Sequence, residues 1–550
     1  MVPIGELLVR RGVLRQAHLE RVLDAERQEG ERLGQVCVRL GLAEAGQVAE
    51  ALAVQMDVPH RALRGAAPAP EVLARMPATV AHHYGCMPLA VRDGVFEVAV
   101  ADPLDLRRLD DLKTLLDCPV RPVLAEEDEI RRAQRDAYGI GADTAGRLEG
   151  AAVAEKDSED IEGGDADASV ARLVNQILAD AARARATDVH LEPGDGAVGL
   201  RYRIDGVLHE RRVPSDMKRL LPAVVSRVKI LARLNIAEKR LPQDGRFSAH
   251  GEAGEFDVRV SVLPSAHGEA VNLRFLSQRH TRRDLEGIGL LEDDCRLLER
   301  VVAQPHGVLL ATGPTGSGKT TTLYACLQRI RGLERKILTI EDPVEYRLGG
   351  VVQMQVQPKI GLDFAGGLRA MLRHDPDVMM VGEIRDPETA EAAVRAALTG
   401  HFVFSTLHTN DAPGAVPRLL NMGVEPYLLS ASLEAVVSQR LVRLVCPECK
   451  TRTSPPPGPA RRWKLDGPVY EGAGCEACES TGYRGQTGIY EVFAVDEGAR
   501  ELIDARAPAG RLRRHALEGG MRRLADDGME KVRLGWTTVE EVLRVTRQEE

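Results

Sequence analysis

Nine consecutive residues in the middle of the chain have the spacing of a phosphate-binding loop. They are Gly313, Pro314, Thr315, Gly316, Ser317, Gly318, Lys319, Thr320 and Thr321. Glycines lack a Cβ atom, so backbone N–H groups can close around phosphate oxygens. We expect Lys319 to pair with the β- and γ-phosphates and Thr320 to hold Mg²⁺. The loop therefore predicts a binding site for a nucleoside triphosphate.

The flanks of this loop distinguish it from a chance glycine-rich turn. A short apolar run with strand character, residues 308–312, precedes it, and the apolar spacing of residues 321–330 is helical. Strand, glycine loop and helix is the arrangement in which this pattern binds phosphate. The dipole at the start of the helix adds to the attraction for an anion.

Polar side chains also follow three further apolar strands of the same region. They are Glu341 after residues 337–340, Glu383 after 378–381 and His408 after 403–405. Ligands bind at the carboxyl ends of strands in doubly wound sheets. We assign Glu383 to orienting and polarising the attacking water, Glu341 to organising Mg²⁺ and its waters, and His408 to sensing the γ-phosphate. Each alone could be a helix cap, an ion-pair partner or a satisfied core group, but together with the loop they favour hydrolysis.

Four of the nine cysteines form two C-x-x-C pairs, which are Cys446 with Cys449 and Cys475 with Cys478. Four thiolates fit one tetrahedral Zn²⁺ ion and leave no open position for catalysis. We therefore predict a structural zinc insert at about residues 446–478. The Pro-rich run 455–459 is predicted to be a loop, so that metal rather than a core would hold the insert. A redox C-x-x-C is the alternative, but no thioredoxin-like unit accompanies the pairs.

The composition limits the classes of function. The chain has 550 residues, a net charge of −9 and a pI near 6.0, which gives no electrostatic basis for wrapping nucleic acid. It shows no apolar run of 18 or more residues and no basic-then-apolar leader. We expect a cytoplasmic protein whose association with a membrane comes through partners rather than by direct insertion.

Four segments are predicted along the chain. Residues 1–140 begin with a repeat of offset 29, each copy pairing a short helix that ends near a glycine with a longer amphipathic helix, and continue as a small α/β unit. Residues 141–168 have the low hydrophobicity of a flexible linker. Residues 169–283 are predicted to form an arginine-rich α/β domain with a hairpin at Asp205-Gly206. Residues 284–550 alternate strands and helices, as a doubly wound nucleotide-binding domain does.

The nucleotide-binding domain resembles the secretion ATPases that power type II secretion and type IV pilus assembly. The resemblance rests on Gly313–Thr320, Glu341–Glu345, Leu372–Asp386 and Gly400–Asp411, which are similar in order to the Walker A, Asp-box, Walker B and His-box motifs. It extends from about residue 168 to 545. It implies a multidomain α/β protein with a RecA-like ATPase domain that carries the zinc insert, and ATP, Mg²⁺ and Zn²⁺ as cofactors.

The resemblance also implies partners and further site residues. It implies a homohexameric ring in which Arg259 and Arg274, from the preceding domain, complete the nucleotide site. Arg369 and Arg373 resemble interface arginines of the family. The segments Gln439–Cys446 and Asp411–Val416 favour the type II secretion branch, and a pilus-extension ATPase is the alternative. The implied protein partner is the cytoplasmic domain of an inner-membrane secretion platform protein.

The N-terminal repeat resembles paired motifs that bind cyclic di-GMP in some members of this family. The second copy fits, from Arg32-Leu33-Gly34 to Gln55, whereas the first has Pro3 in the arginine position and Glu26 in the glutamine position. Proline offers neither a charge nor an N–H group, and a carboxylate repels an anionic dinucleotide. We expect weak cyclic di-GMP binding at best, and a docking role towards the platform partner.

Two other classes of function are open at this point. A regulatory scaffold that senses nucleotide with little turnover would share the loop, but Lys319, Glu341 and Glu383 together favour hydrolysis. A nucleic-acid translocase would share the fold, but the chain lacks the basic balance and the aromatic stacking residues that translocases use.

Overall fold

The computed structural model of the chain describes residues 3–29, 33–63, 65, 68–102, 105–142, 164–214, 217–251, 254–276 and 284–546. The chain divides into two compact units, Met1–Leu276 and Ser277–Glu550. Each unit is described by itself below. Among the described residues, no helix is both long and apolar enough to cross a lipid bilayer.

Four helices form the start of the first unit. They are α1 (Ile4–Arg10), α2 (Gln16–Glu29), α3 (Leu33–Arg39) and α4 (Ala45–Met56). Each copy of the repeat therefore has a short helix followed by a longer one, as predicted. Gly12 and Gly41, at matching positions after the short helices, have φ angles of 74° and 65°. Only glycine adopts this left-handed conformation without strain, which explains why both short helices end there.

A three-stranded sheet with flanking helices follows. Its elements are α5 (Pro70–Arg75), α6 (Ala78–His83), β1 (Cys86–Arg92), β2 (Val95–Val100), α7 (Leu106–Leu116), β3 (Val120–Leu124) and α8 (Glu127–Tyr138). The strand order β1-β2-β3 leaves β3 at an edge. Pro122 of β3 suits this position, because proline has no N–H with which to donate a ladder hydrogen bond to a second neighbour.

The rest of the first unit is a six-stranded antiparallel sheet with two helices. Its elements are α9 (Gly164–Arg183), β4 (Ala186–Pro193), β5 (Val198–Ile204), β6 (Val207–Arg211), α10 (Met217–Leu231), β7 (Gln243–Gly251), β8 (Gly254–Ser265) and β9 (Gly268–Leu276). The strand order is β6-β5-β4-β9-β8-β7. The predicted hairpin is confirmed, with φ angles of 47° at Asp205 and 83° at Gly206. Helix α9 begins at Gly164, inside the predicted linker 141–168, and residues 143–163 of that linker lie outside the described residues.

One face of this six-stranded sheet is covered and the other is open. Apolar residues of β5 and β8, such as Tyr202 and Val258, share a buried cluster with Leu173 of α9 and Val224 of α10. Successive side chains of a strand point to opposite faces. The residues that alternate with this cluster therefore lie on the open face, and five arginines are among them: Arg201, Arg203, Arg246, Arg259 and Arg274.

The second unit is built on a seven-stranded sheet. Its elements are α11 (Glu292–Val302), β10 (Gly307–Thr312), α12 (Lys319–Ile330), β11 (Ile337–Glu341), β12 (Val351–Gln355), α13 (Phe364–Met371), β13 (Val378–Val381), α14 (Pro387–Leu398), β14 (Phe402–Leu407), α15 (Ala415–Asn421), α16 (Pro426–Ser432), β15 (Leu433–Val445), β16 (Lys450–Thr453), α17 (Pro457–Trp463), β17 (Val469–Gly472), β18 (Tyr483–Ala494), α18 (Glu497–Asp504), α19 (Ala509–Glu518), α20 (Leu524–Arg533) and α21 (Val539–Thr546). The strand order is β12-β11-β13-β14-β10-β15-β18.

Six of these strands are parallel, and β18 alone runs antiparallel, against β15. All six residues of β10 are buried, as expected for a strand covered on both faces. Parallel strands point their carboxyl ends towards the same edge of a sheet. The segments that follow β10, β11, β13 and β14 therefore meet at one edge, and these are the segments in which the sequence predicts the catalytic residues.

The insert between the two cysteine pairs is more ordered than the sequence predicted. The Pro-rich run was expected to be a loop, but α17 begins within it at Pro457. Proline is favoured in the first turn of a helix because its missing N–H has no partner there anyway. Leu465 and Val469 are buried against Met529 and Val532 of α20. The expectation that metal rather than an apolar core holds the insert is therefore wrong, since the insert shares a small apolar core with the C-terminal helices.

Candidate active site

The glycine loop joins β10 to α12 in the conformation that the pattern predicts. Gly313, Gly316 and Gly318 have positive φ angles of 141°, 78° and 89°. At Gly313 an added Cβ atom would lie 2.6 Å from the backbone oxygen of Gln439. Side chains at these positions would strain the backbone, and at Gly313 they would also collide with β15. The helix begins immediately after the loop, so its first N–H groups face the place where phosphate would bind.

The ammonium group of Lys319 lies inside the curve of the loop. Its Nζ donates hydrogen bonds to the backbone oxygens of Gly313, at 2.9 Å, and Pro314, at 3.1 Å. Burial lowers the pKa of Lys319, while the negative charge of Glu383 acts in the opposite direction. The charge of Glu383 therefore favours the charged form of Lys319.

Two residues of β15 support the loop from the adjacent strand, and no role was predicted for either. Gln439 is buried, and its Nε2 donates to the backbone oxygen of Ser317 at 2.6 Å. Arg440 donates to the backbone oxygens of Gln439, at 3.2 Å, and Asn410, at 3.3 Å. The charge of Arg440 also lowers the pKa of Lys319. Arg440 thus links β15 to the segment after β14 and adds positive charge near Lys319.

Glu383 and His408 are brought together at the ends of β13 and β14. The Nε2 atom of His408 lies 3.3 Å from the carboxylate of Glu383, which also accepts a hydrogen bond from Arg385. Burial acts to raise the pKa of Glu383, but the hydrogen bonds and charges of Arg385 and His408 outweigh it and hold the pKa below the ordinary value. The carboxylate is therefore ionised at neutral pH.

Hydroxyl groups connect the strand ends around this pair. The backbone N–H of Thr409 donates to the hydroxyl of Thr312 at 2.9 Å, which joins the segments after β14 and β10. The hydroxyl of Thr406 donates to the backbone oxygen of Gly382 at 2.8 Å, which joins β14 to the segment that carries Glu383. These bonds fix the relative positions of the loop, the glutamate and the histidine.

Glu341 lies in a separate hydrogen-bonded cluster. It is 2% exposed, and its carboxylate accepts bonds from Tyr324 of α12, from Thr339 at 2.6 Å and from Gln353 of β12 at 3.0 Å. Burial raises the pKa of Glu341, and these three donors oppose that shift. The structure therefore does not join Glu341 to Glu383 and His408 by a hydrogen bond, although all three follow strands of one sheet.

The two arginines that resemble interface residues lie at the end of α13. Arg369 forms an ion pair with Glu388 of α14, and its side chain is 52% exposed. Arg373 donates to the backbone oxygen of Arg369 at 2.9 Å. Both guanidinium groups are therefore at the surface of the second unit.

In the first unit, Arg259 and Arg274 belong to a row of residues on the open face of the six-stranded sheet. Arg246 of β7 is paired with Arg259 of β8, and Arg259 is paired with Arg274 of β9. On the other side of Arg274, the row continues with Asp188 of β4 and Arg203 of β5. Like charges directly opposite each other destabilise a sheet. A row with four arginines and one aspartate therefore concentrates positive charge on this face of the sheet.

The four predicted zinc ligands converge. The Sγ atoms of Cys446, Cys449, Cys475 and Cys478 all lie within 4.8 Å of one another. Separations of 3.7–3.8 Å join Cys446 to Cys475, Cys449 to Cys478, and Cys475 to Cys478. Backbone and side-chain hydrogen bonds lower the pKa of Cys478 to about 7 against the effect of its burial. Four convergent sulfur atoms are the donor set of a structural zinc site.

The structure describes only some of the residues that are predicted to contact cyclic di-GMP. Pro3 directly precedes α1, and Gln55 is half-buried near the end of α4. Arg32 and the side chain of Glu26 lie outside the described residues.

Residues 164–544 match the family model of the type II/IV secretion system proteins. The chain belongs to this family. A second model, the MshEN domain, matches residues 56–144. The predicted family is therefore confirmed, and with it the prediction of an ATP-hydrolysing motor enzyme.

Named relatives and a solved structure agree with this assignment. Over 419 residues the chain is 49% identical to the type II secretion system protein E of Pseudomonas aeruginosa, covering 75% of this chain and 83% of that protein. It is 40% identical over 563 residues to the type IV pilus assembly ATPase PilB of Myxococcus xanthus, covering 98% of both. The solved structure of the ATPase DotB from Legionella pneumophila aligns with 68% of this chain and with 96% of the DotB chain, with a TM-score of 0.51. The two sequences are 20% identical, so this similarity concerns the fold alone.

Proposed function

We propose that this secretion-family ATPase hydrolyses ATP, as a homohexamer, to power type II protein secretion through assembly of a pseudopilus. The observation that carries the proposal is the ionised Glu383, bonded to His408 and interacting with Lys319 beside the glycine loop. The type II branch is favoured because relatives with that name are 40–49% identical to this chain. Pilus assembly is the second candidate, because PilB is similar over almost the whole chain.

Each residue of the motor unit has a distinct part in this proposal. Lys319 offsets the charge of the β- and γ-phosphates, and Glu383 accepts a hydrogen bond from the attacking water and polarises it. His408 reports the presence of the γ-phosphate to the Glu383 carboxylate that it contacts. The Thr320 hydroxyl would hold Mg²⁺, which when bound draws charge from the phosphate oxygens.

We propose for Glu341 a smaller role in organising Mg²⁺ and its waters than the sequence suggested. A carboxylate can accept about four hydrogen bonds, and three donors already occupy that of Glu341. We therefore propose that it accepts one bond from a water of the Mg²⁺ shell, and that Tyr324 couples this bond to the helix that follows the glycine loop.

Arg259 and Arg274 are proposed to stabilise the charge that develops on the transferring phosphoryl group. Their support is the row on the open sheet face, in which positive charge is concentrated. We propose the same role for Arg246, because it lies in the same row. An arginine that stabilises the transition state of phosphoryl transfer is worth about 10³–10⁵ in rate in other nucleotide hydrolases.

The remaining assignments follow the predicted division of the chain. We propose that residues 1–140 dock onto the cytoplasmic domain of an inner-membrane platform protein and recruit the otherwise cytoplasmic ATPase to the membrane. The MshEN match, residues 56–144, lies mostly in this segment and supports a specialised N-terminal domain, for which we propose weak binding of cyclic di-GMP. Residues 141–168 are proposed as its linker, 169–283 as the arginine-donating domain and 284–550 as the ATPase domain with a Zn²⁺ site.

Deletion of the gene in its host tests the branch. We expect exoproteins to accumulate inside the deleted strain and to return to the medium when the wild-type gene is supplied, but not when the Lys319→Ala form is supplied. Loss of surface pili with normal secretion would instead establish the pilus candidate.

A further inference from the structure

Asp188 is the acidic member of the arginine row, and it lies directly between Arg274 and Arg203. Its Oδ1 accepts a hydrogen bond from Nε of Arg274 at 2.8 Å. The side chain of Asp188 is 7% exposed, whereas that of Arg274 is 57% exposed. A fixed, buried carboxylate therefore holds the base of a guanidinium group whose far end reaches solvent.

The carboxylate is itself held in place by Thr187. The hydroxyl of Thr187 lies 2.9 Å from Oδ2 of Asp188 and 3.2 Å from the backbone oxygen of Arg203. The register of β4 against β5 shifts between Ala186 and Asp188, so Thr187 lies at a β-bulge. Bulges occur where a strand redirects a side chain. The local backbone is thus shaped to bring Asp188 and its supporting hydroxyl together.

The bond to Asp188 uses Nε of Arg274 and leaves the two terminal Nη groups to face outward. Without the carboxylate, the flexible arginine would be repelled by the directly opposed Arg259. A group that stabilises a transition state contributes most when it is aimed before the reaction begins. An anchor that fixes Nε and presents the Nη groups meets this requirement.

We propose that Asp188, supported by Thr187, is a positioning residue that aims Arg274 at the phosphoryl group during ATP hydrolysis. This inference rests on the proposed function of Arg274. It differs from a purely electrostatic role, because removal of a negative charge would by itself strengthen the attraction of the row for a triphosphate.

The substitution Asp188→Asn in the full chain separates these roles. We expect kcat for phosphate release to fall about 10- to 100-fold, the scale of a misplaced catalytic group, while KM for ATP does not rise. The matched control is Arg201→Ala, which breaks an ion pair of 2.5 Å with Glu192 on the same strands, one row away from Asp188. Its kcat should stay within twofold of the wild type. An Asp188→Asn enzyme with wild-type kcat would overturn the proposal.

A double-mutant cycle shows whether Asp188 acts through Arg274. In an Arg274→Ala background, Asp188→Asn should cause no further loss of kcat. An undiminished loss in that background would overturn the positioning role and leave the proposed function of Arg274 intact. Wild-type kcat in Arg274→Ala alone would instead refute both.

A second variant covers the case in which Asp188→Asn fails to fold, as judged from its thermal unfolding. Thr187→Val keeps the shape and the carboxylate but removes the supporting hydroxyl. We expect a smaller fall in kcat, again without a rise in KM and again absent in the Arg274→Ala background. A folded Thr187→Val enzyme with wild-type kcat would contradict the proposal.

Discussion

Replacing Glu383 by Gln is expected to separate ATP binding from ATP hydrolysis. The carboxylate accepts hydrogen bonds from His408 and Arg385, which hold its pKa below the ordinary value despite its burial. Gln has nearly the same shape and can still accept a bond through its amide oxygen. It has no charge with which to polarise the attacking water, so the chemical step should lose most of its assistance.

The expected fall in kcat follows from the rate enhancement that a positioned general base provides. General-base assistance is worth about 10²–10⁴ in rate, so kcat should fall by roughly that factor. The affinity for ATP should not fall, because removing the negative charge near Lys319 leaves the loop more attractive to phosphates. The lowered pKa of Glu383 also predicts how activity depends on pH. The active, ionised form of Glu383 persists at neutral pH and is lost only as the pH falls through the depressed pKa.

Phosphate release at saturating Mg²⁺-ATP measures kcat, and calorimetric titration of the non-hydrolysing variant measures affinity. The matched control is Glu391→Gln, which removes an exposed carboxylate paired with Arg395 on α14. We expect wild-type values for the control. A Glu383→Gln enzyme that hydrolyses ATP at the wild-type rate would refute the assignment of Glu383.

Three further predictions concern the other proposed sites. Arg259→Ala and Arg274→Ala should each lower kcat more than ATP affinity, as expected for groups that stabilise a transition state. Undiminished kcat in both variants would show that these arginines only form part of the solvated surface. Purified, reduced protein should contain about one zinc ion per chain by metal analysis, and Cys446→Ser should lose it while still binding ATP; zinc-free wild-type protein would exclude the site. Cyclic di-GMP should bind weakly in calorimetry, and Glu26→Gln should strengthen binding by removing a charge repulsion that contributes to a cost of about 2–4 kcal/mol. Sub-micromolar affinity of the wild type would show that the second copy of the repeat suffices.

The parts of the fold that were predicted correctly depend on local signals. The strand, glycine loop and helix around Lys319 were identified because hydrophobic periodicity changes sharply at the glycines. The repeat of short and long helices was recognisable because Gly12 and Gly41 end the short helices at equivalent positions. The end of each short helix and the start of the helix after the glycine loop are set by residues close to them in the chain.

The parts that were missed depend on contacts between distant residues. The support that Gln439 gives to the glycine loop joins residues 122 positions apart, and no local pattern specifies such a bond. The arginine row requires the registers of four strand pairs at once, so Arg246 and Arg203 could not be distinguished from other surface arginines. The proline run before Trp463 predicts a loop because proline breaks helix interiors, but proline also suits the first turn of a helix, and α17 begins at Pro457.

We propose that this chain binds and hydrolyses ATP at the glycine loop. The most direct test is Mg²⁺-dependent phosphate release by the purified full chain, compared with Lys319→Ala as the matched variant. We predict release that follows Michaelis–Menten kinetics in the wild type and is lost in Lys319→Ala, whose affinity for ATP should also be reduced. A wild-type chain that binds ATP but releases no more phosphate than Lys319→Ala would contradict the account and identify the protein as a nucleotide-sensing scaffold.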